Sequence, residues 1–224
     1  MAKKNQKEEK IKTAVVTGVH SFDVPTFHAV FRSMPEVDFY PQDLNDFVAN
    51  RENAYEQYDV VVFYIFHQPT PGHEYRWYEK GRKEALEKLG ETEQGIFVLH
   101  HAILAFPDWL FWSEICGIED RHMISSTAGE TMNFEIANSD HPITQGLSNW
   151  EMVEEPYEMN DAGDGSDILI TANHPKSMKT IAWARNFKKA RVFCYQSGHD
   201  NTAFSHPQFR TIVSRGIQWV AGRI

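Results

Sequence analysis

Hydrophobic and polar positions follow a regular order over the first hundred residues. Ala14-Val15-Val16-Thr17 is a short β-favouring run that ends at Gly18, after a polar stretch covering Met1 to Ile11. Val60-Val61-Val62-Phe63-Tyr64 and Ile96-Phe97-Val98-Leu99 are further runs with no polar interruption. Such runs predict strands buried on both faces, as in a parallel sheet covered by helices, rather than the alternation of a half-exposed sheet. Between them lie segments at helical spacing: Pro25 to Ser33, with the proline in the first turn, and Glu74 to Leu89, stopped by Gly90. Val37–Tyr40 predicts another short strand and Asp43–Tyr58 a polar, helical connection. Strand, loop and helix in repeated alternation predict a parallel sheet with right-handed crossovers.

The order then changes. Thr131–Ala137, Trp150–Tyr157, Asp167–Thr171, Thr180–Ala184 and Ala190–Tyr195 predict strands joined by turns, so antiparallel additions are expected in the second half. His206–Ala221 carries Phe209, Ile212, Val213, Ile217 and Val220 at helical spacing and predicts a packing helix. A chain of 224 residues suits one core, so a single α/β domain over residues 12–224 is expected behind a polar tail, residues 1–11.

Charge and composition narrow the partners. A net charge of -9 argues against nucleic acid, which demands a basic face. No apolar stretch approaches the roughly 18 residues of a bilayer span, so no membrane partner is expected. Cys116 and Cys194 show no C-x-x-C spacing, and Cys194 falls within an apolar run. A cytoplasmic enzyme or binder is expected; a homo-oligomer is left open, and no nucleotide cofactor is expected.

Histidines close the predicted strands: His20, His67, the His100-His101 pair and His199. In a parallel sheet these ends share one edge, where small molecules bind. Adjacent residues on an extended chain point to opposite sides, so one of His100 and His101 should face the crevice. Two uses for such imidazoles are open. One is a divalent metal, Zn or another, held with a carboxylate; the other is acid/base work near neutral pH. The available carboxylates are Asp23, Glu154, Glu155 and Asp200, and no H-E-x-x-H spacing is present.

Several motifs in order carry a family resemblance. These are Gly18-Val19-His20 with Asp23 and Pro25; Val98-Leu99-His100-His101-Ala102 with Phe106-Pro107 and Trp109; Asp140-His141-Pro142-Ile143-Thr144-Gln145-Gly146-Leu147; Glu155-Pro156-Tyr157; and Gly198-His199-Asp200, followed by His206-Pro207 and Arg215-Gly216-Ile217-Gln218-Trp219. From Lys12 to the C-terminus the chain resembles the ThuA-like family, named for trehalose utilisation. The resemblance implies a flavodoxin-like three-layer α/β/α sandwich similar to the class I glutamine amidotransferases, with a mainly parallel central sheet. In that superfamily a nucleophile sits on a sharp turn after a central strand, here near His100-His101, and a later histidine corresponds to His199. No cysteine occupies the turn, so glutaminase chemistry should be absent. The implied setting is carbohydrate metabolism, with a disaccharide or keto-sugar as small-molecule partner.

The resulting expectation is a sugar-modifying enzyme with His101, His199, Glu155 and His20 as catalytic residues. The same four, His20, His101, Glu155 and His199, are the candidate ligands of a divalent metal. Asp23, His100, Trp109, Tyr157 and Asp200 are expected to bind substrate, the Trp109 and Tyr157 rings by stacking on a pyranose face. The alternative is a non-catalytic sugar-binding or regulatory module on the same scaffold.

Overall fold

The computed structural model describes residues 9–49, 54–72 and 81–224. Its centre is a nine-stranded sheet in the order β2-β1-β3-β4-β11-β10-β9-β6-β7. The parallel half comprises β1 (Ile11–Gly18), β2 (Val37–Asp43), β3 (Val60–Ile65), β4 (Gly95–Leu99) and β11 (Ala190–Tyr195). The antiparallel half comprises β10 (Thr180–Phe187), β9 (Asp167–Ala172), β6 (Glu130–Ile136) and β7 (Trp150–Glu154). A small ribbon, β5 (Ser125–Ser126) with β8 (Tyr157–Glu158), lies apart.

The unbroken apolar runs are explained by what covers each face. Val60, Val62, Tyr64, Phe97, Leu99, Phe193 and Tyr195 pack with α1 (Val24–Arg32), α5 (Asn201–Ser205) and α6 (Pro207–Val220). Their neighbours Val61, Phe63, Ile65, Ile96, Val98, Val192 and Cys194 pack with α2 (Leu44–Val48), α3 (Arg82–Leu86) and α4 (Leu110–Cys116). Alternate residues thus meet opposite helix layers, and every position of β3 and β4 must be apolar. This is the three-layer α/β/α arrangement the family resemblance implies, with the helix-covered parallel sheet that the sequence pattern predicts. Gly216 brings α6 close enough that a Cβ there would stand 2.5 Å from the Phe193 ring.

Two expected helices differ in extent. Of the Asp43–Tyr58 connection, α2 and a 3-10 turn at Ala54–Gln57 are formed, with residues 50–53 outside the described part. Of Glu74–Leu89, Arg82–Leu86 is helical, and residues 74–80 lie outside the described part, as do residues 1–8 of the expected tail.

The antiparallel half is not a flat extension. The first part of β6, Glu130–Phe134, pairs with β7, whereas only Phe134–Ile136 pairs with β9. The β6–β7 ribbon therefore leaves the sheet at Phe134. In a flat sheet β7 would lie four strand spacings from β11, about 19 Å. Instead the Glu154 carboxylate accepts hydrogen bonds from Ser197 Oγ (2.5 Å) and the Gly198 amide (2.7 Å), just beyond the end of β11. The ribbon curls back and brings the Glu154-Glu155 pair onto the edge where the parallel strands end.

Candidate functional site

β4 ends at Leu99, and the chain turns at once into a 3-10 helix, His100–Leu104. The turn is made by His100 itself, whose φ of 53° lies in the left-handed region that β-substituted residues rarely occupy. A non-glycine residue held there is a feature that clusters at functional sites. It also alters the expected geometry. Because His100 is no longer on an extended strand, the two rings do not point to opposite sides: their centroids are 5.1 Å apart. His20 from the end of β1 lies 4.2 Å from the His101 ring and 6.4 Å from that of His199, and His100 lies 5.5 Å from His199.

Within this group, His100, Glu155 and His199 form the tightest set, with one ligand atom from each lying within 4.8 Å of the others. Glu155 Oε2 is 2.9 Å from His199 Nδ1 and 3.5 Å from His100 Nε2. The His100 tautomer follows from its partners. Nδ1 lies 2.7 Å from the Gln196 carbonyl, which can only accept, so Nδ1 carries a proton there. Nε2 lies 3.5 Å from the Glu155 carboxylate and 2.9 Å from the Tyr157 hydroxyl, which is also 3.0 Å from Nδ1. With Nδ1 donating to Gln196, the neutral ring accepts from Tyr157 at Nε2 and the protonated ring donates to Glu155. A proton bridges Nε2 and Glu155 when the ring is charged, and a cation would bridge them when it is neutral.

The electrostatics are graded across the group. Contact with Glu155 raises the pKa of His199 against the opposing effect of burial. Burial works to raise the Glu155 carboxyl, but hydrogen bonding from His100 and His199 outweighs it and holds the group well below the usual carboxylate range. Burial, reinforced by His100, depresses both His20 and His101, the latter strongly. Burial also pushes the Tyr157 and Tyr64 hydroxyls up, so both remain donors.

The remaining expected residues fall into different places. His101 is buried and backs His20 and Tyr64 rather than joining the Glu155 set. The geometry thus places His100 rather than His101 beside Glu155 and His199, with His101 behind it. Tyr157 is buried against the His100 ring, where its hydroxyl can bond but its face is not open for stacking. Trp109 is packed against Phe106 and Phe111 and is no platform either. Asp23 and Asp200 act as N-caps, accepting from Thr26 and Thr202 amides at 2.8 Å. His67 stacks on Phe106, outside the Glu155 set.

Three neighbours went unassigned in the sequence. Tyr64 donates to the Gly198 carbonyl at 2.9 Å, Gln196 donates to the Glu155 carbonyl at 2.6 Å, and Arg121 ties down the loop after the elbow. Glu154, weighed above only as one of four carboxylates, proves to be buried. Its position had a signal: in β7 it shares parity with the buried Met152.

The family model for ThuA, described as trehalose utilisation, matches residues 17–220. The chain belongs to the ThuA family. This ThuA-family chain is similar in fold to a ThuA-like protein from Parabacteroides merdae, with 22% identity, a TM-score of 0.72, and coverage of 96% of this chain and 92% of that one. A cytoplasmic protein from Salmonella typhimurium is 13% identical over 92% of this chain and 98% of its own, with a TM-score of 0.66. A glutamine amidotransferase from Thermotoga maritima is 10% identical over 95% and 99%, with a TM-score of 0.56. No curated protein matches. The amidotransferase-like fold agrees with the elbow at His100. In this ThuA-family chain both cysteines lie elsewhere and are buried, Cys116 at the end of α4 and Cys194 within β11.

Proposed function

We propose that this ThuA-family chain is an enzyme of carbohydrate chemistry, acting on a disaccharide or keto-sugar through a divalent cation held by His100, Glu155 and His199. The observation that supports this reading is the convergence of one ligand atom each from His100, Glu155 and His199 within 4.8 Å, with His100 Nδ1 held 2.7 Å from the Gln196 carbonyl. An imidazole that donates one nitrogen to a backbone carbonyl and turns the other toward a carboxylate is the usual orientation of a metal-ligating histidine. The donor set also fits. Three ligands of a tetrahedral ion at about 2.0–2.2 Å stand about 3.5 Å apart, and the contacts of 2.9 and 3.5 Å to Glu155 need only small side-chain adjustments. Such an ion would supply Lewis-acid polarisation of a sugar carbonyl or hydroxyl.

The chain's own residues would do the rest. His20, at the rim and kept neutral by burial, is placed to accept a proton from a sugar hydroxyl. Tyr157 would hold the His100 ring. His101 would back the His20 ring from below. With a histidine at the elbow in place of a thiol, no glutamyl-thioester can form there. A cytoplasmic setting accords with two free cysteines and with the description of the Salmonella typhimurium protein.

The test is zinc content and affinity of chelator-treated protein reloaded with Zn²⁺, beside His199→Ala and Glu155→Gln. Stoichiometric binding in the wild type, lost in both variants, is expected. Absence of metal binding, with sugar binding equal in wild type and variants, would overturn the enzyme reading in favour of a non-catalytic sugar-binding module.

A further inference from the structure

The Glu154 carboxylate is buried, with a relative exposure of 2%, and its hydrogen-bond donors among the described residues are neutral. Oε1 accepts from Ser197 Oγ and the Gly198 amide; Oε2 accepts from the Glu155 amide at 2.9 Å. A carboxylate buried on neutral donors is costly unless its hydrogen bonds are well made, so the position demands a reason. The donors supply one. Gly198 immediately precedes His199, and Glu155 immediately follows Glu154, so each oxygen grips the backbone beside one member of the Glu155–His199 pair. The two members follow strands that are not neighbours in the sheet, Glu155 directly after β7 and His199 in the turn after β11. Gln196 adds a second tie through the Glu155 carbonyl, and Gly198, at φ 125°, offers its own carbonyl to Tyr64.

We propose that Glu154 is a positioning residue that fixes the separation of Glu155 and His199 by clamping the end of the curled ribbon to the turn after β11. The metal-binding part of the test rests on the function proposed above; the clamp itself does not. Glu154→Gln is the informative change. Its carbonyl oxygen can still accept from Ser197 and Gly198, but its NH₂ group would then face the Glu155 amide, donor against donor. Only the Glu155 side of the clamp is broken. Ser197→Ala weakens the other side and serves if Glu154→Gln does not fold.

The full-length wild type and both variants are to be compared by thermal melting, Zn²⁺ competition titration, the visible absorption spectrum of the Co²⁺-loaded protein, and a metal-free crystal structure. In Glu154→Gln we expect the His199 Nδ1 to Glu155 Oε2 distance to open from 2.9 Å beyond the ion-pair limit of about 4 Å. Zn²⁺ affinity should fall by about 10–100-fold in protein that remains folded, with a changed Co²⁺ spectrum that a loss of stability alone would not produce. Ser197→Ala should show a smaller loss in the same direction. A folded Glu154→Gln, or Ser197→Ala in its place, that keeps both the wild-type separation and the wild-type affinity overturns the proposal. If the wild type binds neither ion, the proposed function fails, and the separation alone still decides the role of Glu154.

Discussion

Replacing Arg121 by methionine tests whether the elbow is held by the loop behind it. The Arg121 side chain is fully buried, and its guanidinium donates to the carbonyls of Ile103 (3.0 Å), Ala105, Phe106 (2.5 Å) and Trp109 (3.3 Å), while Nε reaches Ser113 Oγ at 3.0 Å. Phe106 and Trp109 also receive backbone amides, from Trp109 and from Trp112 and Ser113 respectively. The variant would therefore strip chiefly Ile103 and Ala105. Two buried carbonyls left unpaired cost about 1–3 kcal/mol each. Relief of burying a cation offsets part of this, and methionine refills most of the volume. A net loss of about 3 kcal/mol is expected, a large share of the 5–15 kcal/mol typical of a folded chain. Urea denaturation followed by far-UV circular dichroism measures it through the midpoint at constant slope. Arg121→Lys should lose nearly as much, because a single ammonium cannot span the same carbonyls. A methionine variant within about 1 kcal/mol of wild type would refute the claim that these bonds hold the loop.

Other expectations follow from the site and the core. His199 has a raised pKa and Glu155 a depressed one. The His199 contribution is full below its unfolded pKa and disappears as pH rises through the folded value. The Glu155 contribution is full above its unfolded pKa and disappears as pH falls through the folded value. In metal-free protein the pair should thus stabilise most between about pH 4.5 and 6.5. His199→Gln should lower the melting temperature most inside that window and remove the fall in stability that the wild type shows as pH rises above about 6.5. His101 has a depressed pKa, so its burial as a neutral ring opposes folding increasingly as pH falls below about 6.5. His101→Leu should raise the melting temperature relative to wild type at pH 5 more than at pH 8; an equal change at both would refute the assignment. Gly216→Ala should cost about 1–3 kcal/mol by overpacking, since its Cβ meets the Phe193 ring at 2.5 Å; a neutral result in urea denaturation would show that α6 shifts freely.

The parallel half was legible because burial on both faces leaves no polar position in β3 or β4, and because Pro25 and Gly90 punctuate the segments between strands. The change of partner at Phe134 was not legible. Alternation in β6 reports which face is buried, not which neighbour covers it. The histidine edge followed from strand polarity, but the roles of His100 and His101 did not, since a left-handed φ at a non-glycine residue leaves no mark in residue type. Trp109 and Tyr157 show a related limit. Aromatic content predicts large buried area, and here both rings spend it inside the core rather than on an open face. Asp23 and Asp200 stand just before helices, where a cap competes with any ligand for the same oxygens.

On the proposed function, the curl of β6–β7 would make ligand capture and tertiary docking a single event. The imidazoles stand at the ends of the parallel strands, whereas the Glu155 carboxylate follows β7, which is docked through Met152 in the core and Glu154 on the turn after β11. Anything bridging Glu155 to His100 and His199 would act as a latch on the β6–β7 ribbon, and amide protons of Thr131–Phe134 should exchange more slowly once the latch is closed.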